Sequence, residues 1–128
     1  MSKRDQPAPR PVVLLVDDEA SVTDVLALSL KEHFDVEAAR SASEAEMMMA
    51  TRSYDIVVSD HMMPDEEGLT FLTRARKQFP QVQRILMTGY INPELLSRST
   101  SVAGLAACLM KPVSPADLIQ AIRLALPV

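Results

Sequence analysis

Ile56-Val57-Val58-Ser59-Asp60-His61-Met62-Met63-Pro64, with Gly68 four residues further on, is the stretch from which the fold can be read. Three β-branched residues lead into Ser59 and then into a carboxylate. A short run that is apolar on both sides of the pleat suits a strand buried in a parallel sheet. Pro64 has no amide hydrogen to continue a ladder and marks a loop. Asp60 is therefore expected at the carboxyl end of a buried strand. In an open α/β sheet that edge is where ligands and chemistry collect.

Outward from this stretch the chain alternates. Residues 12–16 form a second apolar run that stops at Asp17-Asp18-Glu19. Residues 20–33 carry Val22, Val25, Leu26, Leu28 and Leu30 near helical spacing, and residues 34–39 read as a weak strand. Ser41-Ala42-Ser43-Glu44 is a capping box that opens a helix to about residue 52. After the central strand, residues 68–79 place Leu69, Phe71, Leu72 and Ala75 on one side and Arg74, Arg76 and Lys77 on the other, until Pro80 stops them. Residues 84–87 are a fourth strand ending at Thr88-Gly89. Asn92-Pro93 opens a helix weakened by Ser97, Ser99, Thr100 and Ser101, whose side chains compete for their own backbone. Gly104 ends it, residues 105–110 form a fifth strand, and Ser114-Pro115 caps a last helix through Leu118, Ile119, Ile122 and Leu126. Five strands alternating with five helices predict a doubly wound α/β fold, a five-stranded parallel sheet covered on both faces.

The chain has 128 residues, enough for one domain. Hydrophobic residues make up 48% and aromatics 4%, so the core must be aliphatic. Residues 1–11, with Pro7, Pro9 and Pro11, read as a disordered leader, and residues 12–126 as the domain. The net charge of −4 and the lack of any long basic cluster argue against nucleic-acid binding by this domain. The single Cys108 excludes an intramolecular disulfide and fits a reducing compartment. With no membrane-spanning run and no signal-peptide pattern, a soluble, cytoplasmic protein is expected. The three glycines form no phosphate-cradling loop, which argues against nucleotide binding.

Four of the five strands end in a residue able to do chemistry: Asp17-Asp18, Asp60, Thr88 and Lys111. A parallel sheet brings these ends to one edge. Carboxylates gathered there repel at roughly 4 kcal/mol per pair at 4 Å and an effective dielectric of 20. A hard divalent cation such as Mg2+ would relieve them, since all the donors are oxygens. Lys111 adds a second positive charge and Thr88 a hydroxyl, leaving a pocket suited to a phosphoryl group. A carboxylate can itself accept that group as an aspartyl phosphate.

At Leu14-Leu15-Val16-Asp17-Asp18-Glu19, Asp60-His61-Met62-Met63-Pro64 with Gly68, Leu86-Met87-Thr88-Gly89 and Leu109-Met110-Lys111-Pro112, the sequence resembles the receiver domain of bacterial two-component response regulators. The resemblance implies a flavodoxin-like (βα)5 fold with sheet order 2-1-3-4-5 and a cis peptide before Pro112. It makes Asp60 the phosphoacceptor, and makes Asp18, Asp60 and the Met62 carbonyl direct Mg2+ ligands, with Asp17 acting through water. Thr88 and Lys111 would contact the phosphoryl group. It implies a sensor histidine kinase or phosphotransfer protein as donor and a downstream output domain or protein as target. A homodimer through the fourth helix, fifth strand and fifth helix is a further expectation. Catalysis would extend only to the chain's own aspartyl phosphorylation and dephosphorylation. The stretch at residues 84–90 also resembles receivers attached to cyclic-dinucleotide phosphodiesterase or ATPase domains.

The pattern departs at four positions. Cys108 stands three before Lys111, where many receivers carry a mobile aromatic, and Val113 stands where many carry Phe. Met62 and Tyr90 occupy the variable positions two after Asp60 and two after Thr88. With no ring at 108 to swing, the switch is expected to run through Thr88, its loop and the serine-rich helix, with Tyr90 shielding the acyl phosphate. Two other functions compete. An aspartate-nucleophile phosphatase would need an acid two residues after Asp60, which Met62 cannot supply. A pseudo-receiver that never carries phosphate is opposed by the intact Asp17, Asp18, Asp60, Thr88 and Lys111. Blander expectations are an exposed His61, core filling by the Met47-Met48-Met49 run with one of the three exposed, a Cys108 that is a buried small hydrophobe, and helix-start electrostatics for Glu66-Glu67.

Overall fold

The computed structural model describes residues 9–89 and 92–127. Strands β1 (Val12–Val16), β2 (Asp35–Ala39), β3 (Ile56–Asp60), β4 (Gln83–Thr88) and β5 (Ala107–Met110) alternate with helices α1 (Ala20–Leu30), α2 (Ala42–Thr51), α3 (Gly68–Gln78), α4 (Pro93–Arg98) and α5 (Pro115–Ala125). All pairings are parallel and the sheet order is β2-β1-β3-β4-β5. This is the flavodoxin-like order that the motifs imply. The peptide between Lys111 and Pro112 is cis, also as they imply.

The pleat divides the core. Leu14, Val16, Val57 and Leu86 face α2 and α3, where Met49, Phe71 and Leu72 pack against them. Val13, Leu15, Ile56, Val58 and Ile85 face α1 and α5, where Leu26, Leu30, Leu118 and Ile122 cover them. Every residue of β3 is buried, as expected of a strand flanked on both sides and covered on both faces. Asp60 is thus delivered to the sheet edge by a strand buried along its whole length.

Several local expectations need correction. α1 ends at Leu30, three residues early, because the chain turns and the amides of His33 and Phe34 both bond the Leu30 carbonyl. Val25 and Leu28, counted toward its apolar side, are 61% and 70% exposed. Ser41 caps Glu44 as expected, but the Glu44 carboxylate reaches the amide of Arg40 instead of that of Ser41. β5 begins at Ala107 because Leu105 and Ala106 still belong to the crossover, where the Ala106 amide bonds the Arg84 carbonyl. The serine-rich helix divides into the six residues of α4 and a π-helical turn, Ser99–Ala103, ended by Gly104 at φ +59°. Of the expected leader, residues 1–8 lie outside the described residues. Its last two residues are tied to the domain: Arg10 donates to the Lys31 carbonyl, and the Pro11 carbonyl accepts from Asp35. Met49 is buried and Met47 is 68% exposed, as expected of that run.

Candidate functional site

β1 and β3 are neighbours in register, with Val16 opposite Ser59, so the residues that follow, Asp17 and Asp60, emerge side by side at the carboxyl edge. They are 2% and 4% exposed. Asp18 is exposed, yet one carboxylate oxygen from each of Asp17, Asp18 and Asp60 lies within 4.8 Å of the other two. Lys111, at the end of β5, reaches across the edge. Its Nζ is 3.0 Å from Asp60 Oδ1 and 3.4 Å from Asp17 Oδ2. The other Asp17 oxygen accepts the amide of Glu19 at 3.0 Å.

The electrostatics follow from this crowding. Burial pushes the Asp17 carboxyl above its ordinary value, and the neighbouring Asp60 adds to the rise against the pull of the Glu19 amide and Lys111. Burial works against the charged form of Lys111, but Asp60 and Asp17 outweigh it and raise the ammonium above its ordinary value. Among the described residues, three carboxylates face one ammonium, so two negative charges stand uncompensated when all are ionised. The donors are hard oxygens only, without His or Cys. That set fits a hard divalent cation and would not favour zinc.

Thr88 ends β4, 2% exposed, and its carbonyl accepts the Lys111 amide at 2.8 Å, which locks the ends of β4 and β5 together beside Asp60. Met62 follows Asp60 by two residues. Its backbone is bridged to Glu67, and its side chain is exposed. Gly68 closes this loop with a 2.7 Å bond from its amide to the His61 carbonyl. A Cβ on Gly68 would fall on the Asp60 carbonyl oxygen, which is the reason for glycine at that position. The structure therefore brings Asp17, Asp18, Asp60 and Lys111 together and sets the backbones of Thr88 and Met62 beside them. Tyr90 lies outside the described residues.

Two bland expectations change, and the one for Cys108 holds. His61 is not an exposed loop residue: its side chain is 12% exposed, Nδ1 accepts the Leu69 amide at 3.4 Å, and Nε2 lies 3.0 Å from the Glu67 carboxylate. Glu66 and Glu67 do not act merely as charges at a helix start. Glu66 pairs with Arg74, which also holds Glu46 of α2, and Glu67 pairs with His61. Cys108 is half-buried against the α2 and α3 side of the core, and burial pushes its thiol up, away from reactivity.

Two residues escaped sequence reasoning. Asp65 accepts the amides of Ala42 and Ser43 at 3.2 and 2.9 Å, joining the loop after Asp60 to the start of α2. Arg84, 7% exposed within β4, donates to the carbonyls of Val82, Ala103 and Gly104 at 2.6, 2.9 and 3.2 Å. A cation opening an otherwise apolar strand was the available signal for Arg84. Asp65 gave none, because its partners lie more than twenty residues away.

Comparison with known proteins agrees with this fold. The family model described as the response regulator receiver domain matches residues 13–123. Hydrogenase transcriptional regulatory protein HoxA of Cupriavidus necator is 33% identical over 111 residues, which cover 87% of this chain and 23% of that protein. The chain therefore spans less than a quarter of that relative. The solved signal receiver domain of an HD domain-containing protein from Pseudomonas fluorescens aligns with a TM-score of 0.85 at 32% identity, over 91% of this chain and 94% of that one. A solved CheY-like receiver domain from Methanospirillum hungatei aligns with a TM-score of 0.83 at 33% identity, over 89% and 91%. With the match running through all five strands, this chain belongs to the response regulator receiver domains.

Proposed function

We propose that Asp60 is the phosphoacceptor of a Mg2+-dependent phosphorylation switch. The observation that carries this is the Lys111 ammonium held between Asp60 and Asp17, with Asp18 completing a three-carboxylate cluster. Asp18, Asp60 and the Met62 carbonyl would hold the ion directly, and Asp17 through water. When bound, the ion neutralises the carboxylates and the phosphoryl oxygens. An Asp60 carboxylate oxygen attacks the phosphorus of a phosphohistidine, and the histidine leaves with the electron pair of the broken P–N bond. Lys111 stays paired to the acceptor side and stabilises charge as it moves onto the phosphoryl oxygens. The Thr88 hydroxyl supplies a hydrogen bond to the transferred group. Hydrolysis later returns Asp60 to its carboxylate, so the only chemistry is the chain's own.

The donor is a sensor histidine kinase or phosphotransfer protein. A groove of about 590 Å3 between α1 and the segment after β5 opens beside Lys111 and is lined by Val22, Val25, Leu26 and Val113. An apolar docking surface at the mouth of the site suits a partner that must present a phosphohistidine there. Output passes to a joined domain or a separate protein. A homodimer through α4, β5 and α5 is supported by exposed Val102, Met110 and Leu124 on that side. Among the described residues no helix is long and apolar enough to cross a membrane, in keeping with a cytoplasmic place for the switch.

The test is intact mass after incubation with acetyl phosphate and Mg2+. The wild type should gain one labile phosphoryl group, and Asp60→Asn should gain none while unfolding at a similar temperature. An adduct that persists on Asp60→Asn would refute the assignment. Continuous turnover of phosphate esters would favour a phosphatase instead.

A further inference from the structure

We propose that Asp65 is a positioning residue for phosphoryl transfer: its carboxylate, held by the amides of Ala42 and Ser43, fixes the loop that carries Met62. The inference rests on the Mg2+-dependent reaction proposed above. The first amides of a helix have no partner within it, and α2 opens with three to satisfy. The Ser41 hydroxyl takes that of Glu44. Asp65, more than twenty residues away in the chain, takes the other two. The positive end of α2 favours an anion there. Burial works against the charge, but amides of Ser43, Ala42, Asp65 itself and Glu66 outweigh it and hold the carboxyl below its ordinary value. Asp65 therefore stays ionised and clamped at neutral pH.

The loop's construction makes this clamp matter for the site. Its base is closed by the bond from Gly68 to His61 and by the bridge between Met62 and Glu67. Its far end is fastened at two points, Asp65 to α2 and Glu66 to Arg74. Met62 sits in the base, so a tip free to pivot would carry the Met62 backbone with it. The Asp65 side chain is exposed and adds nothing to the core. Its loss should disturb the metal loop more than it disturbs global stability.

The experiment compares wild type, Asp65→Ala and Ser43→Pro. Ser43→Pro deletes one of the two donor amides without touching the loop, and proline is tolerated in the first helical turn. Asp55→Ala is the stability control. It removes a carboxylate-to-amide bond of 2.7 Å to Val12 at the opposite end of the sheet. Mg2+ affinity is measured by calorimetry, and amide exchange in residues 61–68 is measured without metal. Asp65→Ala should bind Mg2+ roughly tenfold more weakly, the lower end of what losing an outer-shell partner costs. It should also exchange faster in residues 61–68. Its phosphorylation should slow at low Mg2+ and recover at saturation. Ser43→Pro should shift the same readouts by less, and the double variant should be no worse than Asp65→Ala. Asp55→Ala should unfold earlier with unchanged Mg2+ affinity. A wild type that binds and an Asp65→Ala that binds equally well would overturn this inference alone. A wild type that binds no Mg2+ would overturn the metal site itself, and this inference with it.

Discussion

The two segments that flank Asp60 are built in opposite ways. The loop between β3 and α3 is short and fastened at almost every residue. His61 is held by Leu69 and Glu67, Met62 by its bridge, Asp65 by α2, Glu66 by Arg74, and Gly68 by His61. The segment after β4 has six residues of α4 followed by a π-helical turn, and four Ser or Thr side chains weaken it. At its far end Arg84 bonds the Ala103 and Gly104 carbonyls and Arg76 bonds that of Val102. One side of Asp60 is thus pre-organised, and the other runs through a stretch of poor helix propensity. A metal site needs the first arrangement, and a conformational signal needs the second.

The largest test of the fixed side is Gly68→Ala. The new methyl would fall on the Asp60 carbonyl oxygen and lie 2.9 Å from the His61 Cα, both backbone atoms that cannot swing aside. The base of the loop must open, at a cost of about 3 kcal/mol in denaturant unfolding. Mg2+ affinity should fall with it. Unchanged stability would mean that this loop has slack.

Arg84→Ala is the matching test of the other side. It strips the buried carbonyl of Ala103, and that of Gly104, of their partner, which should cost about 2 kcal/mol. Arg84→Lys should recover only part of this, because one ammonium cannot span carbonyls of residues 82, 103 and 104. Hydrogen exchange should quicken in residues 99–104 and stay unchanged in residues 61–68. Equal acceleration in both would show that the two sides are one cooperative unit.

The contrast also explains what was legible in the sequence. β3, α3 and α5 are built on periodic burial, which a run such as Ile56-Val57-Val58 or the pattern of Leu69, Phe71, Leu72 and Ala75 displays directly. The polar edge was legible because a parallel sheet forces Asp17, Asp60, Thr88 and Lys111 onto one side. The fastenings were not. Asp65 to Ala42, Glu66 to Arg74 and Arg84 to Gly104 join side chains to partners set by tertiary geometry, which carry no period. α1 misled for a different reason: Val25 and Leu28 are apolar at helical spacing yet exposed, so their spacing describes an exposed face and not a core face.

The smallest expected effect is the most informative about signalling. A phosphoryl mimic such as beryllofluoride on Asp60 should draw Thr88 toward the new oxygens. Thr88 cannot move without its β5 neighbour, since its carbonyl holds the Lys111 amide. Movement of Thr88 also passes forward along the chain into the segment that follows. A six-residue helix rich in poor helix formers should yield at low cost, and the π-helical turn beyond it can absorb a change in winding. Past the turn, Arg76 and Arg84 hold the carbonyls of residues 102–104 and should stop the displacement. Amide exchange with and without the mimic should therefore change within residues 88–104, most strongly before residue 99 and least at its end. In Arg84→Ala the same measurement should show a weaker gradient, because the Arg84 part of the stop is gone and the Arg76 bond to Val102 stays. A uniform change across residues 88–104 in the wild type would show that the arginines do not anchor the segment. Changes confined to residues 20–30 would place the switch on α1 and break the contrast between the two sides of Asp60.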